Sequence, residues 1–219
     1  MAEPVTTPVP LRSMAVVGGG TMGVGIAYVY KVAGCDVWLV EPDATRQVTV
    51  RDILRRAASS GVARGKLTAA LAASVQEEIR IVPAAGALPR GLDLIVETVP
   101  ENPALKEAVL RELGALDPRI LATNTSSISI DRLAAMTPDP ERFLGMHFFN
   151  PVWSLPMVEL VTGACTSPAA LALARSFAEA TGKTTIVSKD IPGFATSRLD
   201  VLSAMEAIRM LEDGVASAE

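Results

Sequence analysis

Met14-Ala-Val-Val-Gly-Gly-Gly-Thr-Met-Gly-Val-Gly-Ile-Ala-Tyr-Val-Tyr-Lys31 is the stretch that decides the fold of this chain. A short apolar run ends at Gly18, and from Thr21 the residues suit a helix buried on most of its faces. The stretch reads strand, tight turn, helix. Gly18, Gly20 and Gly23 fall at the G-x-G-x-x-G spacing, which lets the backbone bend sharply, lets a pyrophosphate approach it and lets the helix sit close on the strand. A helix opening at Thr21 and Met22 then points unpaired amides and its positive dipole end at the phosphate.

The triplet alone is weak evidence, because an ordinary strand-to-helix turn can be glycine-rich. The next strand strengthens it. Asp36 to Val40 ends in Glu41, about twenty residues past the turn, where such a fingerprint places a carboxylate for the ribose hydroxyls of a dinucleotide. That carboxylate would repel a ribose phosphate, so the expected cofactor is NAD rather than NADP. The plainer reading of Glu41 is a surface glutamate closing a strand before Pro42.

Composition sets the outer limits. With 219 residues, 49% of them hydrophobic and 20% charged, the chain can bury one full core and part of a second domain. No run approaches the roughly eighteen consecutive apolar residues of a membrane span. Residues 1–12 open with a proline- and threonine-rich segment lacking any signal pattern, and are expected to be a flexible lead-in. Cys35 and Cys165 lie far apart without metal-ligand spacing, so no metal site is expected; buried, reduced thiols in a cytoplasmic protein are the simplest reading.

The net charge is −4, yet Ala44 to Lys66 carries Arg46, Arg51, Arg55, Arg56, Arg64 and Lys66 against Asp52 alone. Such a run is either a solvated helix face or a patch that meets an anionic ligand. Nucleic acid is the weaker match, since aromatic residues make up only 4% of the chain and do not interleave with the basic ones.

Strand and helix patterns alternate through most of the sequence. This argues an α/β, doubly wound, mainly parallel sheet of the Rossmann type, covered on both faces. Strands are predicted at Met14–Val17, Val37–Glu41, Ile79–Val82, Leu92–Glu97, Ile120–Thr123 and Phe143–Phe148, with two more at Met157–Val161 and Thr184–Val187. The long connection from Pro42 to Glu78 predicts a helical hairpin, Ala44–Ser59 and Leu67–Ser74, broken at Gly61 and Gly65. Further helices are expected from Pro103 to Leu116, from Ser129 or Asp131 to before Pro138, and from Pro168 to Thr181. Asp190-Ile-Pro-Gly193 then interrupts the pattern. A helix from about Phe194 carries Val201, Leu202, Met205 and Ile208 in a stripe that should bury a face. The expected organisation is a dinucleotide-binding domain over 13–191, with the hairpin at about 43–78, and the first helix of an all-α domain, incomplete here, over 192–219.

In an open parallel sheet, ligands gather outside the carboxyl ends of the strands. The fifth strand delivers Thr123-Asn-Thr-Ser-Ser127 to that edge and the sixth delivers His147-Phe-Phe-Asn150. His147 is the only histidine, so any imidazole chemistry falls to it. Glu159 interrupts the apolar run Met157-Val-Glu-Leu-Val161, and an antiparallel return through Pro151 and Pro156 would set it beside His147. A carboxylate there fixes the ring's tautomer and raises its basicity, leaving the other nitrogen as acid or base. A lone strand histidine is otherwise more often structural.

The chain resembles the L-3-hydroxyacyl-CoA dehydrogenases, including the bacterial 3-hydroxybutyryl-CoA dehydrogenases. The motifs that carry the resemblance are Gly18-Gly-Gly-Thr-Met-Gly23, Glu97-Thr-Val-Pro-Glu-Asn102, Asn124-Thr-Ser-Ser127, His147-Phe-Phe-Asn-Pro151 and Asp190-Ile-Pro-Gly-Phe194, in order along the sequence. The resemblance implies that His147 takes the proton of the C3 hydroxyl as hydride passes to NAD, with Glu159 orienting it. It implies that Ser126 bonds the substrate oxygen, that Asn150 holds the acyl carbonyl, and that Glu101, Lys106 and Asn124 meet the cofactor. Ser59 and Lys66 match positions that bind coenzyme A, where the basic interval also points. A homodimer and a role in routes such as fatty-acid β-oxidation are implied as well.

Ser197 departs from the family, which usually has asparagine there before Arg-Leu. If that position orients the substrate in the transition state, a weaker donor costs roughly 2–4 kcal/mol. Two rival readings share the glycine turn: a β-hydroxyacid dehydrogenase acting on free carboxylates through a catalytic lysine, and a non-catalytic NAD-binding protein.

Overall fold

The computed structural model describes residues 11–218. Six parallel strands form most of one sheet: β1 (Ser13–Val17), β2 (Asp36–Val40), β3 (Arg80–Val82), β4 (Leu94–Glu97), β5 (Ile120–Thr123) and β6 (Phe143–Phe148). β7 (Met157–Thr162) returns antiparallel to β6, and β8 (Thr184–Lys189) runs beside β7 in the same direction. The order is β3-β2-β1-β4-β5-β6-β7-β8. The order reverses between β1 and β4, so a crevice opens there at the carboxyl ends of the strands.

Alternation along β1 divides the core. Met14 and Val16 pack under α1 (Thr21–Val32), α2 (Ala44–Ala63), α3 (Ala69–Glu77) and α6 (Pro168–Glu179). Ala15 and Val17 face α4 (Pro103–Gly114) and α5 (Ile130–Ala134). Both faces are covered, which is why the strands read as continuous apolar runs. Asp43, Thr68, Asn102, Ser129 and Ser167 each accept an N–H in the first turn of their helices and fix where α2 to α6 begin.

Several boundaries differ from the sequence reading. α2 runs straight through Gly61, where a Cβ would lie 2.8 Å from the Leu67 side chain; the glycine admits the returning chain rather than ending the helix. The reversal comes at Gly65, with φ 67°. The last helix, α7 (Thr196–Glu212), starts after Phe194, whose φ of 49° is incompatible with a right-handed turn. α7 buries no residue: Leu199, Val201 and Leu202 are each at least 60% exposed, and nothing among the described residues covers the stripe expected to be buried. Cys165 is exposed rather than buried because it lies in the turn between β7 and α6. Burial pushes the Cys35 thiol up to about 11. Of the expected lead-in, residues 1–10 lie outside the described residues, and Arg12 donates its N–H to Asp93.

Candidate active site

The glycine turn is built as a close approach of β1 to α1. Gly18 has φ 117°, a conformation that disfavours any side chain, and a Cβ at Gly23 would lie 1.9 Å from the Gly18 carbonyl. Around Gly20 nothing lies within 4 Å of a Cβ position, so the backbone is open there. Gly20 precedes α1 as an N-cap with no side chain to bond it, and the first-turn amides of Thr21 and Met22 stand at that opening. Thr98 Oγ1 lies 3.1 Å from Val17 O and 3.0 Å from Gly18 O and ties the turn to the end of β4. At the tip of β2, Glu41 accepts from Gly19 N (3.1 Å) and Asp43 N (3.0 Å), with Arg46 Nε at 3.5 Å. The open backbone, the uncapped amides and this carboxylate are the donor and acceptor types that the pyrophosphate and ribose of a dinucleotide require.

The neighbouring strand ends are laced together by a buried ion network. Glu97, fully buried, accepts from Lys106 Nζ (2.9 and 3.1 Å), Val99 N (2.6 Å) and Thr123 Oγ1 (2.7 Å). Lys106 also reaches Glu101 Oε2 at 3.2 Å and Val99 O at 3.1 Å. Glu101 Oε1 in turn takes the hydroxyls of Thr125 and Ser127 (3.0 Å) and the Ser126 N–H (3.3 Å). Burial alone would push the Glu101 carboxyl up, but Thr125, Lys106 and Ser127 outweigh it and hold it below the ordinary value. Lys106 is 1% exposed, so in this arrangement its contacts are these carboxylates. The Ser126 side chain stands exposed on the loop the network braces.

Antiparallel pairing of β6 with β7 sets Glu159 directly across from His147. Glu159 Oε2 lies 3.1 Å from His147 Nδ1, and the imidazole and carboxylate are both buried. Thr196 Oγ1 donates to Glu159 Oε2 at 2.6 Å and the Ala195 N–H donates to Oε1 at 2.7 Å. Burial would raise this carboxyl, yet the bonds from Thr196, His147 and Ala195 hold it below the ordinary glutamate value. With Nδ1 engaged, Nε2 is the ring nitrogen left for a reacting oxygen. The ring is wedged by Phe149 at 4.7 Å and Phe194 at 6.0 Å between centroids. Asn124 Oδ1 accepts from Phe148 N at 2.9 Å, joining the Ser126 loop to the histidine strand, and Asn150 is exposed just beyond it. Sequence reasoning missed Thr196, which stands immediately before the flagged and partly exposed Ser197.

A cavity of about 440 Å³ opens between α1, α2 and the turn after β6, lined by Arg56, Arg64, Lys66, Tyr28 and Trp153 among others. Half of the basic interval, Arg56, Arg64 and Lys66, therefore faces a concavity, while Arg46, Arg51 and Arg55 lie outside it. Ser60, not Ser59, lines it, and Ser59 is exposed one helix position away.

Fold, turn and strand-edge polar cluster together define a Rossmann-type dinucleotide-binding domain. Residues 13–191 match the family model described as 3-hydroxyacyl-CoA dehydrogenase, NAD binding domain, and the chain belongs to that family. Its cofactor is accordingly NAD. The chain is 39% identical over 194 residues to the fatty acid oxidation complex subunit alpha of Pseudomonas putida, covering 86% of this chain and 27% of that protein. It superposes with a TM-score of 0.90 on the 3-hydroxybutyryl-CoA dehydrogenase of Escherichia coli K12, at 34% identity over 95% of this chain and 44% of the other. A Ralstonia eutropha (S)-3-hydroxybutyryl-CoA dehydrogenase gives 0.86 at 36% identity, over 95% and 74%. The chain thus spans about a quarter of the length of the curated relatives it matches. No helix among the described residues is long and apolar enough to cross a membrane.

Proposed function

We propose that this domain carries the acid/base machinery of an enzyme interconverting (S)-3-hydroxyacyl-CoA and 3-oxoacyl-CoA. The observation that carries the reading is the buried pair of His147 and Glu159, 3.1 Å apart at the carboxyl end of β6. Glu159, held ionised by three donors, keeps the Nδ1 proton of His147 in place, so Nε2 presents its lone pair to the C3 hydroxyl. As the ring takes that proton, the carboxylate stabilises the imidazolium. NAD, when bound, supplies the hydride acceptor. Ser126 bonds the substrate oxygen and Asn150 the acyl carbonyl. Ser197 occupies the neighbouring helix turn as a shorter donor.

Arg56, Arg64 and Lys66 give the cavity a positive lining, and Tyr28 and Trp153 give it aromatic walls. That combination suits the phosphate-rich nucleotide end of coenzyme A. The apolar face of α7 suits cover by further helices of an all-α domain and by a homodimer partner. A cytoplasmic site and a fatty-acid oxidation role belong to the same proposal.

The test is oxidation of NADH on adding acetoacetyl-CoA, beside acetoacetate and beside NADPH. Consumption with the thioester and NADH alone is the expected result. Preference for acetoacetate would favour the free-carboxylate reading. NADH binding without any oxidation would favour a non-catalytic domain.

A further inference from the structure

Lys183 is a buried lysine that the reaction outlined above does not use. It stands between Gly182, which has φ 77°, and Thr184, the first residue of β8. It is 7% exposed, and burial, with no carboxylate charge to oppose it, holds its ammonium below the ordinary lysine value. Its partners are main-chain carbonyls: Nζ donates to Val152 O at 2.6 Å and to Leu155 O at 2.7 Å. A cation buried this way is costly, so its retention needs a compensating gain.

The gain is local order in the turn joining the histidine strand to the glutamate strand. Ser154 N and Leu155 N both return to Pro151 O, at 3.0 and 3.1 Å, which turns the chain sharply. Val152 O and Leu155 O are then directed at the ammonium, the charged donor that satisfies both. Besides one main-chain bond from Thr184 N to Pro156 O at 2.7 Å, the turn's other anchors are apolar side chains. Val152 is 2% exposed and fills the space that Gly25 leaves, where a Cβ would lie 2.8 Å from it. The Trp153 ring meets Tyr28 edge-on at 5.8 Å. Apolar contacts permit sliding, whereas two short charge-assisted bonds fix the carbonyl directions. Asn150 begins this segment, and Trp153 and Ser154 form part of the cavity wall. One buried ammonium thus sets the geometry of the turn at both places.

We propose that Lys183 is a positioning residue that locks the 150–156 turn, setting Asn150 toward the reacting end of the substrate and Trp153 against the cavity that takes its nucleotide end. This rests on the acyl-CoA reading for the identity of the ligand; the lock itself does not depend on it.

The test uses Trp153 as reporter in a Trp38→Phe background, which leaves it the only tryptophan. Lys183→Met removes the donors, and Lys183→Gln keeps one shorter amide donor. Acrylamide quenching of Trp153 should rise in the order Lys, Gln, Met, by about twofold at Met. The Kd for acetoacetyl-CoA should rise about tenfold while that for NADH stays within twofold. If Lys183→Met fails to fold, the Lys-to-Gln step carries the comparison. Unchanged quenching in a folded variant would overturn the lock. So would equal losses of NADH and acetoacetyl-CoA affinity, which would mark Lys183 as a general stabiliser. Failure of the parent chain to bind acetoacetyl-CoA would count against the acyl-CoA reading, and quenching would still decide the lock.

Discussion

Glu159→Gln isolates the charge of the strand-pair carboxylate at nearly constant shape. In the parent, Oε1 accepts from Ala195 N (2.7 Å) while Oε2 faces Thr196 Oγ1 (2.6 Å) and His147 Nδ1 (3.1 Å). The amide oxygen of glutamine would keep the Ala195 bond, which turns its NH2 toward Thr196 and His147. The threonine hydroxyl can rotate to accept. The ring must then accept at Nδ1 as well, which moves its proton to Nε2 and removes the lone pair facing the substrate. The charge loss adds to this. With charge centres about 4 Å apart and an effective dielectric near 20, the imidazolium loses about 4 kcal/mol of stabilisation, on the order of a thousandfold in rate. The assay is kcat for NAD reduction by (S)-3-hydroxybutyryl-CoA, the direction in which Nε2 must accept the proton, with NADH affinity followed by fluorescence. A fall of about a thousandfold with NADH affinity within twofold is expected. A kcat within tenfold of the parent would refute the argument that the carboxylate sets the tautomer and charge of His147.

Gly23→Ala places a Cβ 1.9 Å from the Gly18 carbonyl, so α1 must shift off β1; NADH affinity measured by titration should fall at least tenfold, on the order of 1.4 kcal/mol. Lys106→Met leaves Glu97 buried beside Glu101 without its cation, and urea unfolding should show a loss of about 3–5 kcal/mol. A loss under about 1 kcal/mol would mean the network is not held by that charge. For pH, the folded-state carboxyl of Glu159 lies below its ordinary 4.5, so its stabilising contribution is fully present above that value and is lost as pH falls through the lower folded one. Parent and Glu159→Gln stabilities should therefore differ by a constant amount near neutrality and converge in acid, as read from denaturation at a series of pH values.

Most of the framework was legible because period and punctuation agreed. The strand ends at Gly18, Glu97 and Thr123 each carry a polar or glycine residue directly after an apolar run, His147 and Asn150 flank the end of the sixth strand, and it is there that the polar side chains gather. The juxtaposition of His147 and Glu159 followed from one antiparallel return twelve residues long. What stayed hidden depended on long-range contact or on backbone detail. Thr196 reaches Glu159 across 37 positions, and no local pattern marks a threonine for that. Gly61 reads as a helix breaker by propensity, but its reason lies in the Leu67 side chain packed on it. Lys183 looks like an ordinary charged residue after a glycine until two carbonyls of a distant turn are seen converging on it. The stripe on α7 was read correctly as apolar, yet sequence pattern cannot say what covers it.

The central claim is that one imidazole moves the proton while the glycine turn holds the cofactor. The measurement that tests it most directly sets His147→Ala beside the parent, with kcat for acetoacetyl-CoA reduction and the NADH dissociation constant taken on the same preparations. Loss of turnover by about a thousandfold or more with NADH affinity within twofold is the expected result. Turnover that survives, or turnover and NADH affinity that fall together, would contradict it.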